Sequence, residues 1–124
     1  MKKVVIVGAS RTPMGGFHGE MSQATAPELG GAAIKGAIEN AGLKNDSIDE
    51  VIMGNVLSAG QGQAPARQAS FNAGLSESVP AVTLNKMCGS GLKSVIYAHD
   101  QIKAGTSELV AAGGMESMTN APYL

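Results

Sequence analysis

Tryptophan is absent, phenylalanine and tyrosine occur twice each, and a single cysteine stands in a chain of 124 residues. One cysteine cannot close an internal disulfide, so nothing in the chain speaks for an oxidising compartment, and a cytoplasmic setting is expected. Charge of one sign is also missing. The formal net charge is −1 and the basic residues are scattered. That excludes the clustered positive footprint which nucleic acid or an anionic membrane surface requires. No apolar run approaches the length of a membrane span. Met1-Lys2-Lys3 leads into an apolar run at 4–7, which is too short for a signal peptide and shows no cleavage pattern before Arg11. Asn45-Asp46-Ser47 fits the glycosylation triplet, a pattern too frequent by chance to outweigh this reading. Two histidines, one cysteine and scattered carboxylates have no metal-ligand spacing. Neither a metal nor a resident cofactor is expected.

What is present fits a folded domain. Hydrophobic residues make up 44% and charged residues 15%, with 17 glycines, a balance that suits a compact globular chain of modest core. The core draws on Val, Ile, Leu, Ala and Met, with glycines allowing close backbone approach. Four short apolar runs, at 4–7, 51–57, 81–84 and 109–112, are nearly continuous and do not alternate. Strands covered on both faces of a parallel sheet read this way. Helical patterns separate them. Thr25-x-x-Glu28 has the form of a capping box, with Pro27 in the first turn where proline is tolerated. Leu29, Ala33, Ala37 and Ala41 follow at four-residue steps, and Gly42 stands where a left-handed end residue belongs. A second helix is predicted from about Pro65 to Ala73, stopped by Gly74. A third is predicted from near Cys88 through Leu92, Val95, Ile96 and Ile102, ending before Gly105. The tail at 116–124 reads as irregular. The alternation predicts one α/β domain over 1–124, a mostly parallel sheet flanked by helices with right-handed crossovers.

The chemistry concentrates in Asn85-Lys86-Met87-Cys88-Gly89-Ser90-Gly91-Leu92, which joins a predicted strand to a predicted helix. Cys88 falls at or just before the helix N-terminus, where free N–H groups and the positive end of the dipole favour a thiolate. Gly89 and Gly91 ease the turn and leave room for a substrate. A thiolate so placed is suited to attack a thioester carbonyl, with nearby backbone N–H groups as oxyanion donors. The arrangement is like a nucleophile elbow, although it lacks the G-x-S-x-G pattern. Residue types alone leave open the bland alternative of a small buried hydrophobe, the common fate of a free cysteine.

Four segments in order resemble the thiolase family. Gly8-Ala9-Ser10-Arg11-Thr12-Pro13-Met14-Gly15-Gly16-Phe17-His18-Gly19 looks like its N-terminal signature. Gly60-Gln61-Gly62-Gln63-Ala64-Pro65-Ala66-Arg67-Gln68 is similar to its Gly-Gln-x-x-x-Arg loop and helix. Asn85 to Leu92 matches its active-site segment, and Ala112-Gly113-Gly114-Met115-Glu116-Ser117-Met118-Thr119-Asn120-Ala121-Pro122-Tyr123 is close to its Gly-Gly-x-Glu stretch. The resemblance implies a thiolase-like N-terminal half, lying before a loop domain and a C-terminal half, in a five-layer α-β-α-β-α fold. It implies acyl transfer from coenzyme A to Cys88, then Claisen condensation of two acetyl-CoA to acetoacetyl-CoA or the reverse thiolysis. Coenzyme A thioesters are then substrates rather than cofactors. The expected partners are acetyl-CoA or acyl-CoA, the C-terminal half, and further copies in a homodimer or tetramer. The family's second cysteine and its catalytic histidine lie in that other half, so this chain by itself is expected to be inactive.

Other residues carry blander expectations. His99 borders the buried face of the third helix as a packing histidine, and His18 lies exposed in a glycine-rich loop. Arg11 and Arg67 suit either coenzyme A phosphates or loop carbonyls. Gln63 and Asn85 are structural, Met87, Met115 and Met118 pack around the cysteine, and Glu116 anchors a loop through backbone N–H groups. Three other functions compete with this one. A dinucleotide-binding unit lacks the G-x-G-x-x-G spacing after the first strand. A ketoacyl synthase shares the cysteine at a helix start but not the Arg-Thr-Pro and Met-Glu-Ser-Met segments together. A purely structural subunit pairing with an active partner is the third.

Overall fold

The computed structural model describes residues 2–124. Three strands, β1 (Glu50–Gly54), β2 (Ala81–Leu84) and β3 (Val110–Gly114), form a parallel sheet in the order β2-β1-β3. The central strand pairs Val51 with Ala81 on one side and with Ala111 on the other. Three helices join and flank them: α1 (Ala26–Asn40), α2 (Pro65–Asn72) and α3 (Ser90–Ala104). The chain moves from β1 to one edge through α2, then back across to the opposite edge through α3. With right-handed crossovers the two helices must take opposite faces of the sheet. Accordingly α1 and α2 pack on each other on one face, and α3 rests on β1 and β3 on the other. The α/β class and parallel pairing read from the sequence are what the structure has.

Local chemistry sets the element ends. Thr25 caps α1: its side chain accepts from the Glu28 N–H while the Glu28 carboxylate accepts from the Thr25 N–H at 2.8 Å. The reciprocal pair satisfies two otherwise orphaned donors. Pro65 opens α2, whose missing N–H costs nothing there. Gly74 and Gly105 take positive φ just past α2 and α3, the conformation that closes a helix and that only glycine adopts without strain.

The main core lies between the sheet and the α1–α2 layer. Ile34 and Ile38 of α1 and Ala66, Ala69 and Ala73 of α2 meet Val51 and Met53 of β1, with Leu75, Val79 and Met115 closing the ends. Period-two alternation turns Ile52 and Gly54 the other way, toward α3. Burial of a large aliphatic side chain stabilises by roughly 1.5–3 kcal/mol, so each Ile, Leu, Val and Met of this cluster contributes on that scale.

Three expectations from the sequence need correction. The run at 4–7 joins no ladder, and Val5, Ile6 and Val7 are exposed. It lies beside α1 instead: Gly8 sits against Ala37 and Ala41, and Asn40 Nδ2 donates to the Ala9 carbonyl at 2.9 Å. A strand exists only where its N–H and C=O groups pair with a neighbour, and the outer edge of β3 is left unpaired. On α1 the buried stripe is Gly30, Gly31, Ile34 and Ile38, one position on from the predicted Leu29, Ala33, Ala37 and Ala41, which are half-buried. On α3 the face against the sheet is Ser90, Ser94 and Ala98, while Leu92 and Ile96 face outward.

Candidate active site

The C-terminal ends of parallel strands collect the chain's reactive residues, at the point where connections diverge to opposite sides of β1. Ligands of open α/β sheets bind at such a point. Leu84 ends β2, Asn55 follows β1, and Glu116 follows β3 by two residues.

From Leu84 the chain runs through Asn85, Lys86 and Met87 to Cys88, then Gly89 caps α3. Cys88 thus stands one residue before the cap, and it is exposed. In this chain the thiol is open to solvent and is not packed into the core. The bend is tight because Met87 takes a left-handed φ of 50°, which is strained for a side chain without a local hydrogen-bonding group. Neighbours impose it. Asn85 Oδ1 accepts from the Met87 N–H at 2.9 Å, and Ser90 Oγ accepts from the Lys86 N–H at 2.8 Å while donating to the Met87 carbonyl at 2.6 Å. The structural role expected of Asn85 is therefore specific: it fixes the residue before the cysteine. The Gly89 and Ser90 N–H groups donate to the Lys86 and Met87 carbonyls. They hold the turn, which leaves the oxyanion-donor role to other groups.

Glycines seat this turn on the sheet. A Cβ on Gly54 would lie 2.6 Å from Ser90, and one on Gly114 would lie 3.0 Å from the Gly91 Cα. The first turn of α3 therefore touches strand backbone directly. One turn further on, Ser94 Oγ donates to the Gly113 carbonyl at 2.7 Å.

Behind the cysteine turn, Glu116 accepts three hydrogen bonds: from Val56 N–H and Asn55 Nδ2, both at 2.9 Å, and from Leu57 N–H at 3.0 Å. The loop-anchoring expectation for Glu116 thus holds.

The remaining candidates lie elsewhere. Arg67 donates to the Glu77 carbonyl at 3.0 Å and stacks over Phe71, so it fixes a loop. Arg11 is exposed. Gln63 is exposed, and its carbonyl accepts from Gln68. His99 does not pack against the core as expected. It is exposed with Nδ1 at 3.0 Å from Asp100 Oδ1, since the small-residue face of α3 turns it to solvent. Eleven helical steps of about 1.5 Å separate it from Cys88. His18 is exposed on a loop, its N–H donating to Thr119 Oγ1. Of the three methionines expected around the cysteine, Met115 is in the main core against Gly30, and Met87 and Met118 are exposed. Among the described residues no three His, Cys, Asp or Glu side chains gather as metal ligands would, and no helix is long and apolar enough to cross a membrane.

Residues 4–124 match the family model for the thiolase N-terminal domain. The chain is 55% identical over its whole length to an acetyl-CoA acetyltransferase of Cupriavidus necator, covering 32% of that protein. It is 54% identical over 120 residues to a cytosolic acetyl-CoA acetyltransferase of Gibberella zeae, with 97% of this chain and 30% of that one aligned. It is 50% identical over all 124 residues to a mitochondrial acetyl-CoA acetyltransferase of Homo sapiens, covering 29% of it. The chain spans about a third of the length of these relatives. Taken with the α/β sheet and the cysteine turn at its C-terminal edge, the match over nearly every residue makes the chain a member of the thiolase family, corresponding to its N-terminal domain.

Proposed function

We propose that this chain supplies the acyl-accepting cysteine of an acetyl-CoA acetyltransferase. The observation that carries the reading is Cys88, exposed on a strained turn between β2 and α3 at the C-terminal end of the parallel strands. Its thiol gives up a proton and Sγ attacks the thioester carbonyl. The new bond is Sγ to acyl carbon, the bond broken is acyl carbon to coenzyme A sulfur, and coenzyme A leaves as the thiol once that proton is returned. The second half of the cycle is condensation with another acetyl-CoA, or its reverse. It requires a base that removes a proton from the incoming acetyl group. His99 and His18 are both poorly placed for that, and no second cysteine exists in the chain.

The C-terminal part of a thiolase is the partner we assign to this chain. Leu92, Ile96 and Met87, exposed around the cysteine side of α3, are suited to burial against it. A homodimer or tetramer of the completed enzyme and a cytoplasmic setting belong to the same reading. Bacterial and cytosolic proteins among the relatives support that setting, although a mitochondrial one is similar too. The test is thiolysis of acetoacetyl-CoA by the chain alone and after mixing with the C-terminal part of a relative. Turnover only in the mixture is expected, and turnover by the chain alone contradicts the division of labour.

A further inference from the structure

The geometry points to Glu116 as a positioning residue for Cys88, an inference that rests on the acyl-acceptor reading. Glu116 never approaches the cysteine loop in the hydrogen-bond pattern; it acts through the end of β1. Its carboxylate takes the Asn55 amide, the Val56 N–H and the Leu57 N–H together. Both neighbours of the Asn55 amide, the Glu116 carboxylate and the Met115 carbonyl, are acceptors, which fixes its NH2 side. Asn55 is buried, and its own N–H donates to the Leu84 carbonyl at 2.9 Å, one residue before the cysteine loop begins. A second route runs through Gly54. Its carbonyl accepts from the Met115 N–H, next to Glu116, and its Cα supports Ser90. Ser90 in turn holds Lys86 and Met87 on either side of the bend. Glu116 therefore clamps the platform on which both ends of the cysteine turn rest.

Charge and acceptor count, more than shape, set the clamp. Two carboxylate oxygens receive three donors, and no basic side chain pairs with Glu116 among the described residues. A carboxamide of the same size has one acceptor oxygen. Whichever way it turns, its NH2 faces either Val56 N–H or the Asn55 and Leu57 donors. Glu116→Gln thus keeps the volume and breaks the clamp.

Two measurements on the 124-residue chain decide the matter. The first is amide hydrogen exchange of Lys86 and Ser90, with Ile34 and Ile38 of α1 as internal references. In Glu116→Gln the two loop amides are expected to exchange about tenfold faster while the α1 amides keep their rates. The second is the rate of Cys88 acetylation by acetyl-CoA divided by its rate of alkylation by iodoacetamide. Alkylation needs an accessible thiol, whereas acyl transfer needs a thiol held in the attacking geometry, so the ratio is expected to fall about tenfold. Unchanged loop exchange, equal acceleration of loop and α1 amides, or an unchanged ratio each overturns the inference. If the unaltered chain alone takes no acetyl group, the ratio is measured with the C-terminal part of a relative added. If it takes none then either, the acyl-acceptor reading fails instead, and the exchange measurement alone decides whether Glu116 positions the loop.

Discussion

Gly54→Ala is the substitution that probes the seat of the cysteine turn most sharply. The added Cβ would stand 2.6 Å from the Ser90 Cβ and carbonyl carbon and 2.8 Å from the Gly91 nitrogen. Two of these are backbone atoms, so no side-chain rotation relieves the contact. Restoring a carbon–carbon separation of about 3.6 Å requires the first turn of α3 to move off the sheet by about 1 Å. That displacement opens the Ser94–Gly113 hydrogen bond, now 2.7 Å, and loosens the Gly91–Gly114 backbone contact. Overpacking of a tight site costs roughly 1–3 kcal/mol and loss of one hydrogen bond about 1 kcal/mol. A destabilisation of about 2–4 kcal/mol is the expected total. Gly16→Ala is the control, because a Cβ there meets nothing within 4 Å, and it is expected to change stability by less than about 0.5 kcal/mol. Urea unfolding of the two variants beside the unaltered chain reads the difference directly. A Gly54→Ala midpoint matching that of Gly16→Ala would refute the close seating of α3 on β1.

Other consequences are simpler. Thr25→Ala removes the cap of α1 and is expected to cost about 1 kcal/mol in the same urea assay. Met53→Ala, in the main core, is expected to cost about 2–5 kcal/mol, and a smaller loss would show that the α1–α2 layer collapses onto the gap. Asp49 accepts from the Glu108 and Leu109 N–H groups, which hold its carboxyl below the usual range. Glu28 is lowered likewise by its bonds to Thr25. Carboxyls lowered in the folded state stabilise it above their unfolded values of about 4 and lose that contribution as pH falls through the folded values. Stability measured from pH 5 down to pH 2 is therefore expected to fall less steeply in Asp49→Asn than in the unaltered chain (pH values to about half a unit).

Much of this architecture was legible in the sequence because single residues carry it. Thr25 with Glu28 marks the start of α1, Pro65 and Gly74 bracket α2, and Gly105 ends α3. The apolar runs gave three parallel strands to within a few residues. The run at 4–7 has the same composition but pairs with neither open edge of the sheet, and strand formation is decided by pairing rather than by the segment alone. The buried face of α3 departs from the hydrophobic pattern for a different reason. Hydrophobic periodicity selects Leu92, Val95 and Ile96, yet the sheet presents Gly54 and Gly114 at that point, where only small residues fit. The usable signal was the spacing of Ser90, Gly91, Ser94 and Ala98. The placement of Cys88 between a strand and a helix is legible in the sequence and is what the structure has. Its support by Glu116 through Asn55 was beyond sequence reasoning, because these residues are 61 positions apart and meet only once β1 and β3 pair.

The central claim is that Cys88 accepts an acyl group from coenzyme A. Mass spectrometry of the chain after incubation with acetyl-CoA, alone and with the C-terminal part of a relative, tests it most directly. The account expects one acetyl group, mapped to Cys88 and absent from Cys88→Ser. No adduct under either condition, or an adduct confined to lysines, would contradict it and leave the chain a structural subunit.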